Sequence, residues 1–292
     1  MVIRHTAGRG HAQDLAYQGA RAGHPLIVAV GGDGTFSEVV NGVLTASEPF
    51  ADSGGCANHA AGPTGPAVGL INMGTGGDFR RSLGIGPGFE RSLEALARGQ
   101  ERTVDVGHAS FAGRDGREVN RYFVNVLSAG LGGRVDYYVD TIPAFLGGRV
   151  GYYVASLRAV MTSTEQRLLA RVTWETRTRE EVIAAYVVAI CNGRWFGGGM
   201  DVAPMALPDD GRFEVVTITA PSKPYLARRV RGVYKGRHLR EPTVHHFPCH
   251  RLELRIEDTA AERAFLLDID GEALGSLPLR VEIIPRRLRV RA

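Results

Sequence analysis

The sequence predicts an α/β domain with a doubly wound parallel sheet, followed by a domain that is mainly antiparallel β. Strands alternate with helices over the first hundred residues, a pattern typical of parallel sheets covered by helices. Strand-like runs dominate after Arg102, as in a β-sandwich or an open barrel. The 292 residues, 44% of them hydrophobic, are enough to form two cores.

Each element of the first domain follows from apolar periodicity and its flanking residues. Predicted helices span residues 11–22, 35–44 and 89–97, and predicted buried strands span residues 25–30 and 67–72. Thr35 and Glu38 fit a capping box at the start of the second helix, and Gly99 ends the third. A loop rich in Gly, Ala and Pro covers residues 56–66.

The second domain is predicted from eight strand-like runs and two helices. The strands span residues 103–108, 122–128, 168–175, 182–191, 213–220, 251–256, 264–268 and 279–284. The helices span residues 149–161 and 224–235. The expected organisation is a nucleotide-binding domain over residues 1–104, a β domain over residues 105–281, and a segment, residues 282–292, that returns to the first domain.

Composition excludes several classes of protein. The net charge of +4 is mild, and only two of the 35 basic residues are lysines, an arginine bias that we attribute to composition rather than to nucleic-acid binding. Three distant cysteines argue against a disulfide framework or a zinc site. The longest apolar run is about half of a membrane span. We expect a cytoplasmic protein with anionic partners, such as nucleotides or lipid surfaces.

Two glycine-rich loops carry the chemistry. The first, Gly31-Gly32-Asp33-Gly34-Thr35, lies between a strand and a helix, where backbone N–H groups and the positive end of the helix favour phosphate. The second, residues 72–79, follows the next strand and also contains Thr and Asp. Loops at the carboxyl ends of parallel strands converge on one crevice. Together they predict a phosphate and Mg²⁺ site.

The paired sequences Gly-Gly-Asp-Gly-Thr and Asn-Met-Gly-Thr-Gly-Gly-Asp-Phe resemble the diacylglycerol kinase catalytic-domain family, in its bacterial lipid kinase branch. The resemblance continues through residues 192–200 (Asn-Gly-Arg-Trp-Phe-Gly-Gly-Gly-Met), 209–213, 236–238 and 270–278. It covers about residues 6–285. It implies an NAD kinase-like α/β domain followed by a β-sandwich that takes a lipid substrate, of diacylglycerol or sphingoid-base type, at the membrane surface.

The resemblance also implies roles for individual residues. Glu272 would be the general base, with Asp33 and Asp270 as further catalytic residues. A structural Mg²⁺ would be held by the carbonyls of Leu207 and Arg212 and the carboxylate of Asp210. The positions that bind ATP and organise its phosphates and catalytic Mg²⁺ would be Thr6, Gly31, Gly32, Asp33, Gly34, Thr35, Phe36, Ser37, Asn72, Gly74, Thr75, Asp78 and Asp105. Considered alone, the runs around Asp210 and Glu272 also fit plain Asp-Gly turns.

The chain departs from the family pattern at two places. Gly77 stands where the family commonly has Asn, which removes a side-chain hydrogen bond near the phosphates. The family also begins with a strand and an Asn-Pro-x-x-Gly loop, whereas residues 1–6 align with its second strand. We therefore expect either a start codon chosen too late or a variant with an impaired site.

Two other interpretations of the function stay open: an NAD kinase, which shares Gly-Gly-Asp-Gly-Thr, and a non-catalytic lipid- or nucleotide-binding module.

Residues 223–240 predict a basic amphipathic helix, which either lies on a membrane surface or covers the sandwich. Membrane contact is expected to be peripheral. His245, His246 and His250 are interpreted as an exposed strand edge rather than a metal cluster, and Trp174 and Trp195 as core or seam residues.

Overall fold

The computed structural model describes residues 1–47, 62–63, 65–139 and 148–292, apart from the side chains of residues 136, 148–153 and 229–231. The predicted loop over residues 56–66 therefore lies largely outside the described residues, as does Cys56. The other two cysteines, Cys191 and Cys249, are buried free thiols whose burial raises the pKa of each.

The described helices and strands alternate at first and then become mostly strands. The helices are His11–Arg21 (α1), Asp33–Ser47 (α2), Asp78–Ser82 (α3), Phe89–Arg98 (α4), Leu131–Val139 (α5), Gly148–Thr162 (α6), Lys223–Val233 (α7) and Thr259–Ala264 (α8), with a 3-10 helix at Arg237–Arg240. The strands are Leu26–Gly31 (β1), Ala67–Asn72 (β2), Glu101–Gly113 (β3), Glu118–Phe123 (β4), Val126–Gly130 (β5), Gln166–Trp174 (β6), Arg177–Ala185 (β7), Val187–Cys191 (β8), Trp195–Phe196 (β9), Met200–Asp201 (β10), Phe213–Ile218 (β11), Val244–Cys249 (β12), Arg251–Arg255 (β13), Leu266–Ile269 (β14) and Glu272–Arg291 (β15).

The N-terminal part is an α/β layer built on parallel strands. β1 pairs with β2 in parallel, and β2 pairs in parallel with the end of β15. Leu96 of α4 packs over Gly69 on one face of β2, leaving no room there for a Cβ. The buried apolar residues of α2 pack with Leu70 on the other face. Helices on both faces are the doubly wound arrangement that the sequence predicts.

The C-terminal part is an antiparallel sheet folded into a sandwich, in the order β12-β11-β8-β5-β14-β15-β13-β6-β7. β3 and β15 pair with each other along their lengths, from Gly113 opposite Gly275 to Glu101 opposite Arg291. These two strands enter both cores. Val106 of β3 lies in the α/β core and Phe111, further along, in the sandwich core.

Several predicted boundaries are wrong for identifiable reasons. The predicted strand over residues 122–128 is two strands, β4 and β5, because the backbone leaves one pairing at Val124 and then begins another. The predicted strand over residues 182–191 is likewise two strands, β7 and β8, with the break at Tyr186. The capping box is also wrong: α2 begins at Asp33, and Glu38 instead accepts hydrogen bonds from Gly10 N (2.7 Å) and Ala12 N (3.0 Å) at the start of α1. Residues 1–7 form no strand.

The structure also locates the predicted basic helix and the histidines near residue 245. α7 buries Leu226 and Val233 against the rest of the protein, so this basic helix packs on the sandwich. His245 and His246 are exposed on β12, at one end of the sheet order, as predicted. The prediction is wrong for His250, which lies between β12 and β13, half-buried and stacked on Trp174. Across the described residues, no helix is long and apolar enough to cross a membrane. The sequence does not predict α3, α5, α8, β9, β10 or β12.

Candidate active site

The two glycine-rich loops cross each other in direct backbone contact. β1 ends at Gly31 and β2 ends at Asn72, and Met73 N donates a hydrogen bond to Gly31 O (2.8 Å). A Cβ added at Gly74 would lie 2.5 Å from the Cα of Gly32, closer than atoms approach. The crossing therefore requires glycine at position 74, and it places both loops at one edge of the sheet, as the sequence predicts.

Asp33 fastens the first loop to the second. Its Oδ2 accepts a hydrogen bond from Asp78 N (3.2 Å) and its Oδ1 accepts one from Phe79 N (3.3 Å), the first two residues of α3. Gly77, the N-cap residue of α3, has no side chain with which to cap the helix. Asp33 thus supplies from the other loop the capping oxygens that an Asn at position 77 would otherwise offer.

Asp78 joins the second loop to the C-terminal part. Its Oδ1 accepts from Arg81 Nη1 (2.6 Å) and its Oδ2 from Gly198 N (2.7 Å), which brings the Gly197-Gly198-Gly199 segment to the crevice. Burial raises the pKa of Asp78, and the nearby Asp33 carboxylate raises it further. Two carboxylates therefore lie near the crossing of the loops, close enough for one to raise the pKa of the other.

Glu272 begins β15 and lies against the first turn of α2. Its Oε1 is 3.5 Å from the point that a Cβ at Gly34 would occupy, and its Oε2 lies 3.3 Å from Arg121 Nη2. Burial raises the pKa of Glu272. The guanidinium groups of Arg121 and Arg9 lower this pKa, and the Glu38 carboxylate raises it. The other end of the Arg121 guanidinium donates to Gln13 Oε1 (2.6 Å). The base candidate is thus a partly buried carboxylate held beside a guanidinium.

Asp270 has a different environment from Glu272. It is buried, with φ of 51°, and its two oxygens accept hydrogen bonds from the backbone N–H groups of Val124, Asn125 and Val126 (3.0–3.1 Å). Burial raises the pKa of Asp270 to about 7, although those hydrogen bonds lower it. Its contacts are those of a residue that fixes the turn before Glu272.

Other predicted ligand residues divide between the crevice and the core. Phe36 is buried and stacks on Phe79 with ring centroids 4.6 Å apart, and Ser37 is buried behind it. Thr75 is exposed on the second loop, and Thr6 is exposed in the N-terminal segment. Asn72 donates to Gly74 O (3.2 Å), while its buried Oδ1 has no partner among the described residues.

Asp105 does not join Asp33 and Asp78. It is fully buried on β3, where its carboxylate accepts from Gly211 N (2.6 Å) and Arg286 N (2.7 Å). Burial raises the pKa of Asp105, and the carboxylates of Asp210 and Asp209 raise it further. Asp105 therefore braces the turn around Gly211 against β15.

The two predicted metal positions fit a cation unequally. Asp210 accepts from Arg212 Nε (3.0 Å), and Leu207, whose carbonyl is the predicted ligand, is exposed. Asp78 is likewise paired, with Arg81 (2.6 Å), but it and Asp33 lie at the glycine-rich loops. That position fits Mg²⁺ better, because this ion binds through one or two carboxylates together with phosphate oxygens and water. Within the described ranges, no three His, Cys, Asp or Glu side chains converge as a complete metal cage.

Sequence reasoning missed the arginines of the crevice. Arg81 follows Asp78 by three residues in a helix, a spacing that could have indicated the pair. Arg121 is separated from Glu272 by 151 residues. No local spacing could have indicated that contact, and the same holds for Gln13 and Gly198.

Comparison with known proteins gives two family matches. Residues 125–292 match the YegS C-terminal NAD kinase beta sandwich-like domain, and residues 1–109 match the diacylglycerol kinase catalytic domain. Curated relatives from Salmonella gallinarum and Salmonella paratyphi A, both named "Probable lipid kinase YegS", are 26% identical over 99% of this chain and 85% of theirs.

Solved structures show the same fold. One is titled a "putative diacylglycerol kinase" from Bacillus anthracis str. Sterne; the TM-score is 0.70 at 21% identity, covering 98% of this chain and 82% of that one. Another diacylglycerol kinase structure from the same organism gives a TM-score of 0.64 at 19% identity, covering 99% of this chain and 84% of that one. At these identities the likeness establishes the fold: an NAD kinase-like α/β part with a C-terminal β-sandwich.

Proposed function

Because this chain belongs to the diacylglycerol kinase catalytic-domain family, in its bacterial lipid kinase branch, we propose that it transfers the γ-phosphate of ATP to a lipid hydroxyl. The observation that carries the proposal is the crossing of the two glycine-rich loops, with Asp33 and Asp78 at the crossing and Glu272 beside Gly34. Phosphoryl transfer needs positioning and charge neutralisation more than covalent chemistry, and this crevice offers both.

The phosphates of ATP would bind at the N-terminus of α2 and along the crossing loops. α2 is 15 residues long and begins at Asp33, so the N–H groups of its first turn have no partners within the helix. They and the helix dipole favour a phosphate group. Thr35 and Thr75 would add hydroxyl donors. We assign Phe36 and Ser37 to packing behind the loop rather than to ligand contact.

Asp33 and Asp78 would hold a Mg²⁺ ion together with phosphate oxygens. When bound, the ion supplies neutralisation of phosphate charge. The protein's own contribution is the fixed spacing of the two carboxylates, through hydrogen bonds to Phe79 N and Gly198 N. Asp105 and Asp210 would act by holding the turn at Gly211.

Glu272 would take the proton from the lipid hydroxyl. As the O–H bond breaks, the hydroxyl oxygen forms a bond to the γ-phosphorus, and the bond from that phosphorus to the leaving oxygen of ADP breaks. A base works only when deprotonated, and the adjacent Arg121 guanidinium favours that state against burial. Asp270 would position Glu272 through the turn that they share.

The substrate is proposed to be a diacylglycerol or a sphingoid base, met at a membrane surface as part of phospholipid metabolism. The test is incubation of the full chain with γ-labelled ATP and Mg²⁺ against three acceptors: diacylglycerol in mixed micelles, sphingosine in mixed micelles, and NAD. Label in a lipid supports the proposal. Label in NAD alone would identify an NAD kinase, and no labelled acceptor despite ATP binding would identify a non-catalytic module.

A further inference from the structure

A cavity separate from the crevice opens where the two ends of the sandwich sheet meet. β12 and β7 are the last strands at either end of the sheet order and are not hydrogen-bonded to each other. Between them lies a cavity of about 630 Å³, within the range of small-ligand pockets. None of its lining residues belongs to the two loops or the Glu272 turn.

The floor of this seam cavity is apolar and held rigid by stacking. Val172, Trp174, Phe247 and Pro248 line it. The Trp174 ring stacks on His250 with centroids 4.6 Å apart and planes 7° apart, and His250 Nδ1 accepts a hydrogen bond from Glu175 N (2.8 Å). The floor therefore offers apolar surface to an apolar chain, and its Trp174 ring is held by stacking.

Charged residues line the rim from the inner face of β7. In the antiparallel ladder Arg177 is opposite Trp174 and Arg179 is opposite Val172, which is 3% exposed. Residues opposite each other share a face, so both arginines belong to the face that covers the sandwich core. The inner face of a sandwich strand is normally apolar, which makes these two arginines unexpected.

The rim offers one arginine without a partner among the described residues. The Arg179 guanidinium lies over the Phe247 ring, 5.3 Å from its centroid, and pairs with Glu181 (3.1 Å). The Arg177 guanidinium is exposed and has no ion pair or hydrogen bond to another described residue. Of the three inner-face charges on β7, two are positive and one is negative, and Arg177 is the unpaired one.

We propose that the seam cavity binds a fatty acid, with its chain on the apolar floor and its carboxylate at Arg177. A single carboxylate matches the single unpartnered guanidinium, because a guanidinium binds a carboxylate through paired hydrogen bonds. The site is independent of the proposed kinase reaction and adds a second lipid-binding position to the β-sandwich.

The test uses Trp174 as the reporter. The chain has two tryptophans, so the full-length W195F variant leaves Trp174 as its single indole. Sodium laurate is titrated into this protein at pH 8 and Trp174 fluorescence is followed, with dodecyltrimethylammonium and dodecyl phosphate as probes of equal chain length. We expect saturable binding of laurate and at least about tenfold weaker binding of the cationic probe.

Arg177→Met removes the proposed carboxylate partner and keeps most of the side-chain length. Arg171→Met is the matched control, because Arg171 lies on the outer face of the same hairpin, paired with Glu180 (2.7 Å). We expect R177M to weaken laurate binding about tenfold or more and R171M to leave it unchanged, with both variants folded by circular dichroism. Equal affinities in the two variants, equal binding of the cationic probe, or tighter binding of dodecyl phosphate would each overturn the fatty-acid assignment.

Discussion

Glu272 and Asp270 lie two residues apart, yet their surroundings give them different chemistry. Asp270 is buried and accepts three hydrogen bonds from backbone N–H groups, so its carboxylate is fixed away from the crevice surface. Glu272 keeps contact with a side-chain guanidinium and lies beside the first glycine-rich loop. At the scale of single residues, burial and hydrogen-bond partners rather than residue type distinguish the proposed base, Glu272, from its proposed positioning residue, Asp270.

The Arg121–Glu272 pair predicts a pH dependence. Glu272 must be deprotonated to act, so activity falls as pH drops through its pKa. Arg121 lowers that pKa, and its removal raises it. We expect Arg121→Met to move the acidic limb of the kcat/KM profile to higher pH, while Arg117→Met, an exposed arginine at the β3–β4 turn, leaves it in place. A limb that stays unmoved, or that moves to lower pH, would contradict the assignment of Glu272 as the titrating base.

At the scale of elements, the short helix α3 depends on a residue outside it. Gly77 offers no capping side chain, and Asp33 supplies both acceptors from 45 and 46 residues upstream. The strand and the glycine-rich loop were predictable at both places, because strand ends and glycines are local signals, and β2 was predicted residue for residue. The helix after the first loop was predicted, but α3, the helix after the second, was not. The cap that Asp33 provides could not be predicted, because a hydrogen bond between distant loops produces no recognisable spacing in the sequence.

Removal of this cap should loosen the second loop. We expect Asp33→Ala to lower the free energy of unfolding by about 1 kcal/mol, since two N–H groups of α3 lose their acceptor. Urea unfolding followed by circular dichroism measures the change. Asp14→Ala, an exposed acidic residue in the first turn of α1, is the control. A D33A protein as stable as D14A would show that the cap contributes nothing.

At the scale of the whole molecule, β3 and β15 unite the two cores. The sequence predicts an α/β part, a β part and a return of residues 282–292 to the first domain. It does not predict the pairing of β3 with β15, because that pairing joins segments far apart in the chain. Leu288 of β15 lies in the α/β core and Leu279 of the same strand lies in the sandwich core. Loss of packing in one core is therefore transmitted along a continuous strand to the other.

The shared strands predict cooperative unfolding. We expect Leu288→Ala, which empties space in the α/β core, to lower the free energy of unfolding by about 2–5 kcal/mol and to shift the transition of the sandwich equally. In a W195F background, where Trp174 is the single indole, fluorescence reports the sandwich, and far-ultraviolet circular dichroism reports the whole chain. Val182→Ala, an exposed residue on β7, is the control. A Trp174 transition that stays at its wild-type midpoint in L288A would show two independent units.

The central claim is that Glu272 is the base of a phosphoryl transfer carried out in the crevice between the glycine-rich loops. It is tested most directly by single-turnover transfer from γ-labelled ATP to the accepted lipid, comparing Glu272→Gln with Glu118→Gln, an exposed glutamate on β4. We predict that E272Q slows transfer by about 10²- to 10⁴-fold with ATP affinity unchanged, and that E118Q matches the wild type. A transfer rate in E272Q equal to that of E118Q would contradict the claim.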